Sequence, residues 1–224
     1  MINTYNEKSL HADIKAFLSK TGDEFECSYN GFIIDIKRND LLIEIQTKNF
    51  LAMRKKLSRL LDCNRIRLVH PIIKNKKITV LETDGTTIKH SRYSPKHGDI
   101  TDIFEEILYI PELVSHMNLE IQILLISAEE IRIDDGKGSW RRKGISIADR
   151  KLIEVHDDML LNHPVQLFKL LPESIQTEEF STRDLSEMMK ITKQKASKIC
   201  YTLKKIGLII PVSKQGNLII YRRL

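Results

Sequence analysis

Between Gly31 and Thr47 the chain reads GFIIDIKRNDLLIEIQT, two Ile-rich apolar runs parted by Asn39-Asp40. Residues of this kind favour strands, and Asn and Asp tolerate turn geometry. Gly31–Arg38 and Leu41–Thr47 are therefore expected to form a hairpin, and any fold must be built around it. Side chains alternate along a strand, so Leu42, Glu44, Gln46 and, if the strand continues, Lys48 share one face, with Ile43 and Ile45 on the other. A carboxylate among apolar neighbours is costly unless it is paired or bound to a cation. Asp35, across the turn from Glu44, is a second such carboxylate. Two of them on neighbouring strands form the oxygen-ligand grouping that suits Mg²⁺.

The remaining pattern is mixed. Asn6-Glu7-Lys8 opens a helical stretch with Leu10, Ile14, Phe17 and Leu18 on one face, ending near Thr21-Gly22. Glu24–Asn30 reads as a strand and Phe50–Leu61 as a helix. Arg65–His70 reads as a strand closed by Pro71, and Lys77–Glu82 with Thr86–Ser91 as a hairpin around Asp84-Gly85. Ile100–Tyr109 looks helical and Leu119–Ile133 strand-rich, while Ile145–Val155 fits either. The polar stretch Asp157–Pro164 is the expected boundary between domains 1–157 and 163–224, and Pro164–Leu171 is a short helix. The fold class expected is α/β (α+β).

Charge separates the two parts. Of 36 Lys+Arg and 30 Asp+Glu in 224 residues, ten cations but only Asp184 and Glu187 fall between Ser181 and Leu224. The segment carries +8 and the remainder −2, so the whole basic excess sits in the last fifth of the chain. A basic block of this sort points to a polyanion-binding module. No apolar run nears the ~18 residues a membrane span needs, and MINTYNEKSL lacks a secretory leader. Three cysteines without a CxxC pair fit a reducing, cytoplasmic setting. The histidines show no zinc-site spacing, and the absence of GxGxxG and Walker loops argues against an organic nucleotide cofactor.

Phe180–Leu224 reads helix, turn, helix, hairpin. Ser181 or Thr182 can cap a helix through Met189 that buries Leu185, Met188 and Met189. Thr192 starts a second helix with Ala196, Ile199, Cys200 and Leu203 on its buried stripe. Gln194, Ser197, Lys198, Tyr201 and Lys205 lie on the opposite face, compact and basic as a groove-reading helix must be. Gly207 ends it, and Leu208–Val212 with Leu218–Arg222 flank Lys214-Gln215-Gly216-Asn217. This order resembles a small winged helix-turn-helix domain. The resemblance implies DNA binding, with Lys214, Arg222 or Arg223 of the wing approaching phosphates. Winged helices also serve as dimerisation modules, so a second copy of the chain is a further candidate partner.

From Glu7 to about His70, the order of acidic helix, strand with Asp35, strand with Glu44-x-Gln46, then helix resembles the PD-(D/E)xK superfamily of restriction-endonuclease-like folds. The stretches SLHADIK, GFIIDIKRNDLLIEIQTKNF and RLVHPI are also similar to an uncharacterised prokaryotic family of nuclease-like proteins. The resemblance implies a mixed sheet flanked by helices and Mg²⁺- or Mn²⁺-dependent cleavage of DNA phosphodiesters. On it, Asp35 and Glu44 hold the metal and Glu7 is the extra acidic residue of the first helix. Gln46 falls where most members have a catalytic Lys that orients or activates water. Gln can only hydrogen-bond, and Lys48 would supply the missing cation if the strand reached that far. His11 and Tyr29 are accessory candidates. The alternative is an inactive nuclease fold that binds DNA or regulates.

Two further features stand apart. Gly136-Lys-Gly-Ser-Trp140-Arg-Arg-Lys143-Gly places the chain's one Trp in a basic, glycine-flanked loop, either to stack on a nucleobase or to pack over a sheet edge. Arg54, Lys55, Lys56 and Arg59 give the helix after the hairpin a basic face that could line DNA or simply be solvated.

Overall fold

The expected hairpin is present. Strands β2 (Phe32–Arg38) and β3 (Leu41–Ile45) pair antiparallel from Ile36 opposite Ile43 to Arg38 opposite Leu41, and Asn39 turns the chain with a φ of 51°. The computed structural model describes residues 8–224, so Glu7 lies outside the described residues. Before the hairpin come α1 (Lys8–Leu18) and β1 (Glu24–Tyr29). After it come α2 (Phe50–Leu60), β4 (Arg65–Leu81), β5 (Ile88–Tyr93), α3 (Phe104–Ile107), α4 (Pro111–Val114), β6 (Leu119–Ile133) and β7 (Ser146–Leu161). The main sheet runs β1-β2-β3-β4-β6-β7, with β5 hydrogen-bonded to the far half of β4. β3, β4 and β6 are parallel and the other pairs antiparallel, so this is a mixed α/β architecture.

Helices cover both faces because the sheet is apolar on both. α1 places Leu10 and Ile14, one turn apart, against Ile36, Ile43, Ile45 and Val69. Phe17, expected on that stripe, is exposed. α2 buries Phe50, Met53, Leu57 and Leu60 against the opposite face, with Leu42, Ile66 and Leu68. Each large apolar side chain so buried contributes about 1.5–3 kcal/mol.

Two boundaries differ from the sequence reading. β4 does not stop at Pro71 but continues to Leu81, paired with β6 throughout. Pro71 is tolerated because β3 pairs with β4 only to Val69 and β5 only from Lys77, which leaves the intervening edge without a strand partner for a missing N–H to disrupt. The stretch from Ile145 is strand, and β7 runs through Asp157–Asp158 to Leu161. Its polarity there is that of an edge strand half open to water. Within it Asp158 accepts a hydrogen bond from the Gln122 amide at 2.7 Å.

After 3₁₀ turns at Pro164–Leu170 and Glu173–Gln176, the tail forms β8 (Phe180–Ser181), α5 (Thr182–Met188), α6 (Lys193–Ile206), β9 (Ile209–Gln215) and β10 (Leu218–Arg223). The three strands make a small sheet in the order β8-β10-β9. Ser181 and Asp184 cap α5 reciprocally, Thr192 caps α6, and Gly207 ends α6 at φ 83°. α5 buries Leu185, whereas Met188 is exposed. The tail is not packed separately: Ile175, Leu185, Ile199 and Leu203 belong to the same core cluster as Leu57, Ile103, Phe104 and Ile107. Among the described residues no helix is long and apolar enough to cross a membrane.

Candidate functional site

Strand alternation breaks at Asp35. Ile34 and Ile36 are both buried, yet Ile34 packs in the α2-side cluster and Ile36 in the α1-side cluster. The β2–β3 ladder ends at Ile36–Ile43, and just beyond it Asp35 Oδ2 accepts the Ile45 backbone N–H at 2.8 Å. A carboxylate thus replaces the next rung and parts the two strands. β1 is irregular at the same level, where Glu26 takes a φ of 48° and pairs with Lys15 at 2.8 Å. The parting opens a cleft of about 780 Å³ lined by both sides of the break. That volume is in the range of small-ligand sites.

From α1, His11 Nε2 lies 3.1 Å from the same Asp35 oxygen. Burial raises the Asp35 pKa, but the His11 hydrogen bond and the Ile45 N–H outweigh it, so the carboxyl sits below its ordinary value. Glu44 is the opposite case. Only 6% of its side chain is exposed, and burial pushes its pKa up to about 7 despite Lys56. Lys56 Nζ stands 2.6 Å from Glu44 Oε1 and donates to the Ile33 carbonyl at 2.5 Å. Its approach to Oε1 is off the hydrogen-bonding direction, which leaves that buried oxygen without a hydrogen bond. Glu44 is therefore a desolvated acid, titrating near neutrality, whose main neighbour is a single ammonium.

β3 ends at Ile45, so Gln46 and Lys48 lie in a loop and not on an extended strand face. The loop is held from below: His70, kept neutral by burial, donates from Nδ1 to the Gln46 carbonyl at 2.7 Å. The Gln46 amide turns back on its own loop, to the Lys48 carbonyl at 2.5 Å and the Asn49 carbonyl at 3.4 Å. Glu106 accepts the Phe50 N–H at 3.0 Å and anchors the start of α2. Both Gln46 and Lys48 still line the cleft. Tyr29 does not; its hydroxyl donates to Asn64.

The cleft thus gathers Asp35, Glu44, Gln46 and Lys48, and adds two groups sequence reasoning undervalued. His11, an accessory candidate in sequence, is bonded directly to Asp35. Lys56 belongs to the basic α2 face expected either to line DNA or to be solvated, yet its side chain is only 16% exposed. Its position one turn after Met53 and one residue before buried Leu57 was the available signal, since a lysine there flanks the buried stripe of α2.

Asp35 and Glu44 offer carboxylate oxygens suited to a hard divalent cation, though the buried Glu44 oxygen is already ion-paired with Lys56. Among the described residues no third Asp, Glu, His or Cys completes a metal-holding group with them.

In the tail, a second cleft of about 410 Å³ lies between α6 and the β9–β10 hairpin. Ser197 and Tyr201 line it, with Arg183, Lys193 and Lys204, which the sequence reading had not selected. Gln194, Lys205, Lys214 and Arg222 are exposed nearby, Lys205 lying 5.8 Å over the Tyr201 ring and Arg222 3.9 Å from Glu179. Lys198 is turned elsewhere: it pairs with Glu105 of α3, as Lys195 pairs with Asp102 at 2.5 Å. Helix rotation explains this, because Lys195 and Lys198 flank the buried Ala196–Ile199 stripe that packs against the body.

Fold and cleft define a mixed α/β protein with a buried-carboxylate cleft at a strand break and a basic helical tail. The chain belongs to the family described as Domain of unknown function (DUF8091), whose model matches residues 8–162 and so ends one residue after β7. An uncharacterized protein of Treponema pallidum (strain Nichols) is 32% identical over 223 residues, covering 99% of this chain and 87% of the relative. No solved structure matches.

Proposed function

We propose that this protein is a metal-dependent phosphodiester hydrolase of the PD-(D/E)xK kind acting on DNA, held on its substrate by the tail as a winged helix. One observation carries the reading: Asp35, Glu44 and a lysine meet in a single cleft, the lysine arriving from α2 as Lys56 where Gln46 occupies the usual position. Asp35 and Glu44 would hold Mg²⁺ or Mn²⁺. A bound cation supplies Lewis-acid polarisation of the phosphate and a more acidic water. Lys56, whose ammonium stands against Glu44 and the Ile33 carbonyl, would steady negative charge developing on the phosphate once a cation took over Glu44. His11 fixes the Asp35 carboxylate in place. The exposed cations of the tail supply largely sequence-blind affinity for the phosphate backbone.

A second reading, an inactive nuclease fold that binds DNA, draws on Gln46, whose amide is spent on its own loop, and on Lys56, which already neutralises Glu44. Incubation with supercoiled, linear, single-stranded and branched DNA in Mg²⁺ or Mn²⁺ separates the two. Cleavage is expected, lost in Asp35→Asn and in Lys56→Met, with DNA binding retained in both. Cleavage that survives both substitutions would place the chemistry elsewhere. Binding without cleavage, together with no calorimetric Mg²⁺ or Mn²⁺ signal, would select the second reading.

A further inference from the structure

The far halves of β4, β6 and β7, with β5, extend the sheet past β3 as a four-stranded arm whose near end, at Ala128 and Leu152, still packs with α1. Residues 74–97 and 127–153, which form it, hold thirteen Lys+Arg against seven Asp+Glu. The arm is therefore +6 and the rest of the chain before Ser181 is −8. What looked like a near-neutral body is an acidic base with a basic projection.

Trp140 stands at the tip of this arm, in the β6–β7 turn, 82% exposed. It does not pack over the sheet edge, so of the two roles open to it in sequence the structural one falls away. The turn that carries it is tightly tied. Gly138 N–H donates to the Gly144 carbonyl, Lys143 N–H to the Trp140 carbonyl, and the Ser146 hydroxyl to Asp135. A side chain at position 138 would meet the Ile145 carbonyl oxygen at 1.9 Å, so only glycine fits. Arg141 lies 5.5 Å from the centre of the indole ring, and Arg142 is pinned through Nε to the Ile145 carbonyl. No other large hydrophobic residue of the turn is exposed. A protein or membrane contact would call for apolar area around the ring. A lone aromatic on a preorganised turn, with a guanidinium over the ring and followed in the chain by Arg142 and Lys143, matches a base stack beside phosphates.

We propose that the arm tip is a second nucleic-acid contact, in which Trp140 stacks on an unpaired base while Arg141, Arg142 and Lys143 meet the adjoining phosphates. This rests on the nucleic-acid reading above and adds to it that the preferred substrate carries single-stranded or unpaired bases.

Trp140 is the only Trp in the chain, so intrinsic indole fluorescence reports on this turn alone. The full chain is titrated with fluorescein-labelled oligothymidylate, its abasic analogue, heparin and anionic phospholipid vesicles, following indole emission and, for the labelled strands, anisotropy. Oligothymidylate is expected to quench the emission and the abasic strand to leave it nearly unchanged. Trp140→Ala should weaken oligothymidylate binding roughly tenfold, the loss of one stacked base, with little effect on the abasic strand. Equal quenching by the abasic strand or heparin would overturn base stacking, as would a response to vesicles alone. Oligothymidylate that binds by anisotropy without changing the emission would overturn this inference and leave the tail-mediated reading standing. No binding of any nucleic acid would overturn both.

Discussion

Replacing Glu44 by Gln converts a buried acid into its neutral isostere, and the structure sets the size of the effect. The folded pKa is about 7 against an ordinary 4.5, with the side chain 6% exposed. At about 1.4 kcal/mol per unit, ionised Glu44 costs the folded state about 3 kcal/mol relative to its protonated form. The sign follows from proton binding: between about pH 4.5 and 7 the native state holds a proton that the unfolded chain has released, so wild-type stability falls as pH rises through that window. Glu44→Gln lacks this fall. Chemical denaturation should find the two proteins equally stable near pH 4 and the variant more stable by about 3 kcal/mol near pH 8. For a chain of this length that difference is roughly 6–12 °C in Tm. Added Mg²⁺ should narrow the gap by stabilising the wild-type carboxylate and leaving the variant unchanged. A variant less stable than wild type near pH 8, or a gap independent of pH, would refute the assignment of Glu44 as an acid whose burial outweighs its pairing with Lys56.

Two other expectations follow from the geometry. His11→Ala removes the strongest of the pulls that hold Asp35 below its ordinary pKa, and should cost about 1 kcal/mol at neutral pH. Because a lowered carboxyl stabilises the fold above its unfolded value, that cost should fade as pH drops below about 4 through the folded value of Asp35, as seen in urea titrations across pH. Glu105→Gln releases Lys198 from its ion pair. Duplex-DNA anisotropy should then show tighter binding and a salt dependence steeper by about one phosphate contact; an unchanged slope would mean Lys198 stays turned to the body.

How far the sequence reached varies by element. The β2–β3 hairpin, the α2 stripe, most of the α1 stripe and the start of α6 at Thr192 were legible because each rests on a local rule: period, turn chemistry, capping. Pro71 misled because its tolerance depends on which edge of β4 lacks a partner, and the end of β7 was not legible because an edge strand is as polar in sequence as a loop. Asp35 and Glu44 do line one cleft, but alternation, which puts Glu44, Gln46 and Lys48 on one strand face, does not carry past Ile45, and at Asp35 the carboxylate itself interrupts the ladder.

The sequence alone determined that two carboxylates lie across a hairpin turn in apolar strands, and that ten cations crowd the last fifth of the chain. Tertiary structure decided which cations face what. α2 returns along the sheet to set Lys56 on Glu44, and α1 crosses the other face to set His11 on Asp35. α6 packs on the body and gives Lys195 and Lys198 to Asp102 and Glu105. The paired β4, β6 and β7 carry Trp140 and the basic arm out into solvent. The physical reason is one of range: periodicity and turns act over a few residues, whereas desolvation and ion pairing depend on what the fold brings within a few ångströms, however distant in the chain.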